Sequence, residues 1–255
     1  METTPAAEEF PPQPAFHLDA SDTQPLQTFL QVQGFLENGE AITALAVAGA
    51  GNMNVTLRAT TPRRSFIAKQ SRPYVARYPQ VAAPVARVAT EAAFLRWAGQ
   101  QPLVAPAYPT LLGYYPQAHL LLMEDLGTAG DYTELYQGQA LTQPELHQLV
   151  DMLLAQHAAA LPAQAAARLA CPPLLALNHA HIFQIPYQAP AALDLDDHAP
   201  GLAEAAEAYR QDVPLLQALA TLGTRYQQPP QQVLCHGDYY PGSWLRTPSG
   251  PRLID

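Results

Sequence analysis

The residues best suited to chemistry lie near the end of the chain, in the run Val233-Leu234-Cys235-His236-Gly237-Asp238-Tyr239-Tyr240-Pro241-Gly242-Ser243-Trp244-Leu245, followed by Arg252-Leu253-Ile254-Asp255. An apolar run enters His-Gly-Asp, Ser243 follows Asp238 by five positions, and a second apolar run ends in Asp255. The expected layout is strand, catalytic loop, strand, acid. Phosphoryl transfer needs a carboxylate to orient the attacking hydroxyl and hard oxygen ligands to hold Mg²⁺ on a nucleotide. Asp238 suits the first task, and Ser243 and Asp255 suit the second. Short motifs recur by chance, so the preceding chain must supply the parts that hold the phosphates.

Those parts occur in order. A strand over 42–47 leads into Gly49-Ala50-Gly51-Asn52-Met53-Asn54 and a second strand over 55–60. Glycines let backbone N–H groups approach phosphate oxygens, although a G-x-G between strands is also an ordinary hairpin turn. A third strand, 65–70, carries Lys69, which either reaches the α- and β-phosphates or serves as an edge-strand charge. A helix over about 85–100 carries Glu91, a partner for Lys69 or else a solvated charge. Strands over 109–115 and 119–123 complete a five-stranded sheet. Glu124-Asp125-Leu126-Gly127 then reads as a hinge whose backbone could bond an adenine edge, with Leu122 and Met123 packed on the base or simply in the core.

The flanking chain reads more blandly. Residues 1–20, with Pro5, Pro11, Pro12 and Pro14, are expected to be a disordered tail. Ser21 or Asp22 can cap a helix bearing Leu26, Phe29, Leu30 and Leu36. Thr142-Gln143-Pro144-Glu145 is a capping box before a stripe of Leu146, Leu149, Val150, Leu153, Leu154 and a structural His157. Residues 158–170 are Ala-rich and helical or loosely ordered. His179 and His181 lack a nearby acid or Cys and read as packing or loop residues, and 194–198 is an acidic loop. One helix is expected from about 202 to 225, ended by the Gln/Pro run 227–232.

Composition narrows the class. The 255 residues include 48% hydrophobic and only 14% charged residues, with a formal net charge of −9, which argues against a nucleic-acid-binding face. No apolar run approaches the ~20 residues that span a bilayer, and no signal peptide is recognisable. Cys171 and Cys235 form no zinc or disulfide pattern, so a reducing cytoplasm is the default. Nothing in the sequence sets an oligomeric state.

The order of Gly-rich turn, strand lysine, helix glutamate, hinge, His-Gly-Asp loop and final Asp resembles the aminoglycoside phosphotransferase and choline kinase superfamily over residues 22–255. Within it, Gly49 to Asn54, Lys69-Gln70-Ser71-Arg72-Pro73-Tyr74-Val75 and Gly242-Ser243 look most like 5-methylthioribose kinase, although Tyr239-Tyr240-Pro241 departs from that family. The resemblance implies an α+β, bilobal, protein-kinase-like fold, with a nucleotide-binding lobe over 21–123, a hinge at 124–127 and a mainly helical lobe from 128. It implies an ATP- and Mg²⁺-dependent kinase acting on a hydroxyl of a small metabolite. Asp238 would be the acceptor-orienting base and His236 its brace. Gly49, Gly51, Asn52, Asn54, Lys69, Glu91, Met123, Glu124 and Leu126 would contact the nucleotide, and Ser243 and Asp255 the metal. A methylthioribose-like sugar is the favoured acceptor, with amino alcohols or aminoglycosides as alternatives. Relatives continue past the final Asp, so the helical lobe is expected to be incomplete, the chain being a fragment or a natural truncation. The rival expectation is a kinase-fold remnant that binds nucleotide or a partner without catalysis.

Overall fold

Alternating side chains on the third strand decide how the sheet is covered. Phe66, Ala68 and Gln70 point to one face and Ile67 and Lys69 to the other, and all are buried. A strand buried on both sides must be central. The computed structural model, which describes residues 16–49, 51, 53–188, 195–197, 199–228 and 234–254, places it third in a five-stranded antiparallel sheet.

The strands are β1 (Ala44–Val47), β2 (Val55–Thr60), β3 (Ser65–Gln70), β6 (Leu111–Tyr115) and β7 (Leu120–Glu124), in the order β1-β2-β3-β7-β6. Between β3 and β6 come a small hairpin, β4 (Tyr74–Val75) with β5 (Tyr78–Ala82), and the helix α2 (Arg87–Ala98). The Phe66 face packs Leu57, Ala59, Leu120 and Leu122 against Leu26 and Leu30 of α1 (Gln24–Val32) and against Leu18, Leu36 and Ile42. Asp22 accepts the Gln24 N–H just ahead of α1, but the N-cap position is Thr23 and carries no side-chain cap, so neither Ser21 nor Asp22 caps the helix as expected.

Residues 16–20 depart from the expected tail. Gln70, fully buried, accepts the Leu18 N–H at 2.7 Å and donates to the carbonyls of Phe16 and Ala118. Unpaired buried amides are costly, so this side chain stitches the segment to the sheet. The earlier tail residues, 1–15, lie outside the described residues.

The chain divides into two compact units. One runs to Ala159 and resumes at His236, and the other spans Ala160–Cys235. The first also holds α3 (Gln143–Ala158) and the hairpin β8 (Trp244–Thr247) with β9 (Gly250–Leu253). The Thr142–Glu145 capping box forms as expected, but the α3 stripe does not bury uniformly. Leu149 is buried, while Leu146, Val150 and Leu154 are exposed. Leu234 and Cys235 are not in a strand, whereas the strand expected after the loop is β8.

The second unit contains α4 (Ala163–Leu169), α5 (Pro172–Phe183), α6 (Leu202–Arg210) and α7 (Val213–Gln227). His179 and His181 therefore lie in a helix. His179 stands 2.7 Å from the point where a side chain on Gly223 would begin, which lets α5 and α7 approach closely. The single helix expected over 202–225 breaks because Asp212 caps the Leu215 N–H and Pro214 fits only a first turn. Asp196 of the acidic segment caps α6 at Ala203, and Asp194 and His198 lie outside the described residues. Among the described residues, no helix is long and apolar enough to cross a membrane.

The segment after β7 is strapped to the sheet. Arg58 of β2 pairs with Asp125 at 2.7 and 2.9 Å and donates to the Gly127 carbonyl. Burial favours the neutral Asp125 carboxyl, but the hydrogen bonds from Arg58, Ser65 and the Gly127 N–H outweigh it and hold the group below its ordinary value. Its contribution to stability is thus complete above the unfolded carboxylate pKa and is lost as pH falls through the lower folded value. We expect Arg58→Met to cost about 3 kcal/mol at pH 7, because it strands a buried carboxylate. The gap from wild type should begin to narrow below about pH 4, the unfolded carboxylate value, and close as pH falls through the lower folded value of Asp125. Chemical denaturation at both pH values checks this, and an unchanged gap contradicts it.

Candidate active site

Register brings the predicted phosphate grip together. Lys69 sits opposite Thr56 of β2 and Leu121 of β7, with Met123 on the same face of the sheet. From α2, Glu91 meets the Lys69 ammonium with both carboxylate oxygens at 2.9 Å. Both side chains are largely buried. The expected pair exists, and its burial excludes the edge-charge reading of Lys69 and the solvated reading of Glu91.

The turn between β1 and β2 leads into Val55 and Thr56, which pair with Gln70 and Lys69 of β3. Gly49 has φ +152° and, like Gly51, has nothing within 4 Å of the place a Cβ would occupy. No side chain among the described residues fills the space those glycines leave. The other end of the turn is held firmly. Asn54 Oδ1 accepts from Arg87 Nε at 2.8 Å and from the Ser71 hydroxyl at 3.2 Å. The Met53 carbonyl accepts from Arg87 Nη2 at 2.7 Å and from the Ala76 N–H. The Asn54 oxygen thus braces the turn. Asn52 lies outside the described residues. Open glycines on one side and a strand lysine on the other fit a chain of phosphates.

Glu124 belongs to β7 rather than to a hinge loop. Its carboxylate accepts from the Thr110 N–H and hydroxyl and from Arg252 Nη1 at 3.0 Å. Burial pushes this carboxyl up, but the Thr110 and Arg252 contacts outweigh it and the net shift is downward. With its own N–H given to the Thr110 carbonyl, Glu124 ties β7 to β9. Among the described residues, the Leu126 backbone makes no hydrogen bond and is available to a ligand.

The His-Gly-Asp loop takes its shape from a left-handed Gly237, φ +87°, a conformation costly for any side chain. His236 Nδ1 receives the Asp238 N–H, and its ring stacks on Tyr108 and meets Tyr239 edge-on. Tyr239 donates its phenol to the Leu149 carbonyl at 2.6 Å. Burial pushes that phenol up to about 12, so it remains a donor at neutral pH. Asp238 itself is exposed.

Beyond the loop, the Pro241 carbonyl accepts the Tyr132 N–H, and the Ser243 carbonyl accepts the Ile254 N–H at 3.0 Å. Ser243 is buried. Asp255 lies outside the described residues, and its neighbour Ile254 is the residue bonded to Ser243. Among the described residues, no group of three His, Cys, Asp or Glu could hold a metal. A Mg²⁺ ion here would draw on oxygens of Ser243, Asp255 and the phosphates, a hard donor set that suits it.

Sequence reasoning missed Arg87, the residue that holds the turn. Its signal was position, one helical turn before Glu91, but sequence does not reveal which of 13 Lys and Arg residues is buried.

Comparison with curated proteins finds no sequence match. Among solved structures, the chain resembles a spectinomycin phosphotransferase crystallised with ADP and spectinomycin, at TM-score 0.51 and 16% identity over 92% of this chain and 68% of that one. It also resembles LicA in complex with AMP, at TM-score 0.49 and 15% identity over 91% of this chain and 67% of that one. The first likeness speaks to the fold, which is the α+β, bilobal, protein-kinase-like arrangement. The family model described as the phosphotransferase enzyme family matches residues 46–255, from β1 through the last acid. That span contains every predicted site residue, and the chain belongs to the phosphotransferase enzyme family.

Proposed function

We propose that the protein transfers a phosphoryl group from ATP to a hydroxyl of a small metabolite. The observation that carries this reading is the buried, bidentate Lys69–Glu91 pair beside a turn whose glycines face open space. Lys69 grips the α/β-phosphates, Glu91 holds it there, and the Gly49–Asn54 turn covers the phosphates. Met123, on the Lys69 face, backs the base, and the strand end at Glu124 with the free Leu126 N–H presents backbone groups to its edge. Ser243 and Asp255 supply oxygens to Mg²⁺, which would offset charge on the phosphates.

Asp238 orients the acceptor hydroxyl and takes its proton as the oxygen–phosphorus bond forms and ADP leaves. In a loose transition state that proton is lost late, so positioning is the larger contribution. His236 braces the loop through the Asp238 N–H and the Tyr108 ring. The ADP bound in the neighbouring spectinomycin phosphotransferase accords with ATP as donor.

For the acceptor, the turn, the Lys69–Val75 segment and Gly242-Ser243 favour a methylthioribose-like sugar. An aminoglycoside is the second reading, favoured by the spectinomycin in the neighbouring structure and by the net charge of −9. Two unpaired cysteines suit a reducing compartment such as the cytoplasm.

An ADP-release assay across methylthioribose, other pentoses, amino alcohols and aminoglycosides tests the reading. We expect release that requires one of these acceptors. Asp238→Asn should lower kcat about 10²- to 10⁴-fold with ATP binding intact. Lys69→Met should lower kcat/KM for ATP about 10²-fold or more. A folded wild type that binds ATP and phosphorylates none of them would instead support the non-catalytic remnant.

A further inference from the structure

Arg87 is 5% exposed, and among the described residues its guanidinium donates to at least five oxygens from three parts of the chain. Nε donates to Asn54 Oδ1, Nη1 to the carbonyls of Arg72 and Pro84, and Nη2 to the carbonyls of Met53 and Tyr74, at 2.7–3.3 Å. These partners are the closing residues of the Gly-rich turn, the link from β3 to β4, and the approach to α2. Burying a cation among neutral oxygens is costly, and only a rigid five-donor fork can serve that many acceptors at once.

Two further facts define its task. Among the described residues nothing packs within 4 Å of the Cβ positions of Gly49 and Gly51, whereas the Met53–Asn54 end of the turn is bonded to Arg87. Arg87 and Glu91 also stand one helical turn apart on one face of α2, about 6 Å along the axis. The same helix therefore holds the turn with a cation and Lys69 with an anion.

We propose that Arg87 is a positioning residue that fixes the gap between the phosphate-covering turn and Lys69, acting through Met53 and Asn54 without touching the nucleotide. The inference rests on the reading of that turn and lysine as the phosphate grip. Lysine at 87 keeps the charge but cannot reproduce the fork, so the turn loses its register. Displacements of about 1 Å in such sites cost on the order of 10²-fold.

The experiment measures ATP and adenosine affinities by calorimetry for wild type, Arg87→Lys and Asn54→Ala, with KM and kcat where turnover is found. We expect ATP to bind about 10- to 100-fold more weakly to both variants, with adenosine changed less than about twofold. A rise in KM for ATP should exceed any fall in kcat. If Arg87 only stabilises the fold, melting falls while ATP and adenosine affinities hold or drop together, and the proposal is overturned. If Arg87→Lys does not fold, Asn54→Ala decides alone, and wild-type ATP affinity in that variant overturns it. A folded wild type that does not bind ATP overturns both this proposal and the reading beneath it, whereas wild-type binding with unaffected variants overturns this proposal only.

Discussion

The interaction on which the rest depends is the contact between Lys69 and Glu91. Both groups are withdrawn from water on a central strand and a packed helix, where a charge without its partner costs about 3–5 kcal/mol. A hydrophobic pair of equal volume would serve stability as well or better, so stability does not account for the pair. Its consequence is geometric. It fixes α2 against the Ile67–Lys69 face of the sheet and holds an ammonium group beside the open end of a glycine turn. The opposite face, closed by α1 and by the segment that Gln70 stitches down, is conventional core.

The second half of the site is assembled from chain distant in sequence. Residues 236–254 belong to the sheet-bearing unit and are held in it by directed contacts as well as by packing of the fully buried Leu253 and of ring pairs such as Tyr132–Trp244. Arg252 clasps Glu124 at the end of β7, Tyr239 bonds the Leu149 carbonyl of α3, and Tyr132 gives its N–H to Pro241. Gly237 supplies the one backbone conformation that turns Asp238 outward from this anchored loop. The predicted site residues thus fall on two pieces, a charged strand–helix pair and a tethered loop with its hairpin.

Strand β2 was legible to the residue because Val55, Leu57 and Ala59 alternate with polar residues, β3 because a short apolar run follows the turn at 61–64, and Lys69 because it interrupts that run. The capping box over Thr142–Glu145 was equally plain. The hairpin at Tyr74–Ala82 was not, because a two-residue strand carries no period. The Asp212-Val213-Pro214 break was marked by a polar run, a cap acid and a first-turn proline, which the expectation of one helix overlooked. The stripe on α3 misled because periodicity reports a face without reporting what covers it, and Val150 and Leu154 are exposed. Gln70 and Arg87 stayed obscure for another reason. A buried polar side chain is defined by the acceptors around it, and those come from segments up to 54 residues away.

The most direct test of the central claim is thermal unfolding of wild type and Glu91→Gln with and without Mg²⁺-ATP. At ligand about 100 times Kd, one site adds about 2.7 kcal/mol, roughly a 5–10 °C rise for a chain of this size. The account predicts that rise for wild type and a much smaller one for Glu91→Gln, whose lysine has lost its carboxylate. A cooperatively folded wild type whose midpoint ignores Mg²⁺-ATP would contradict it.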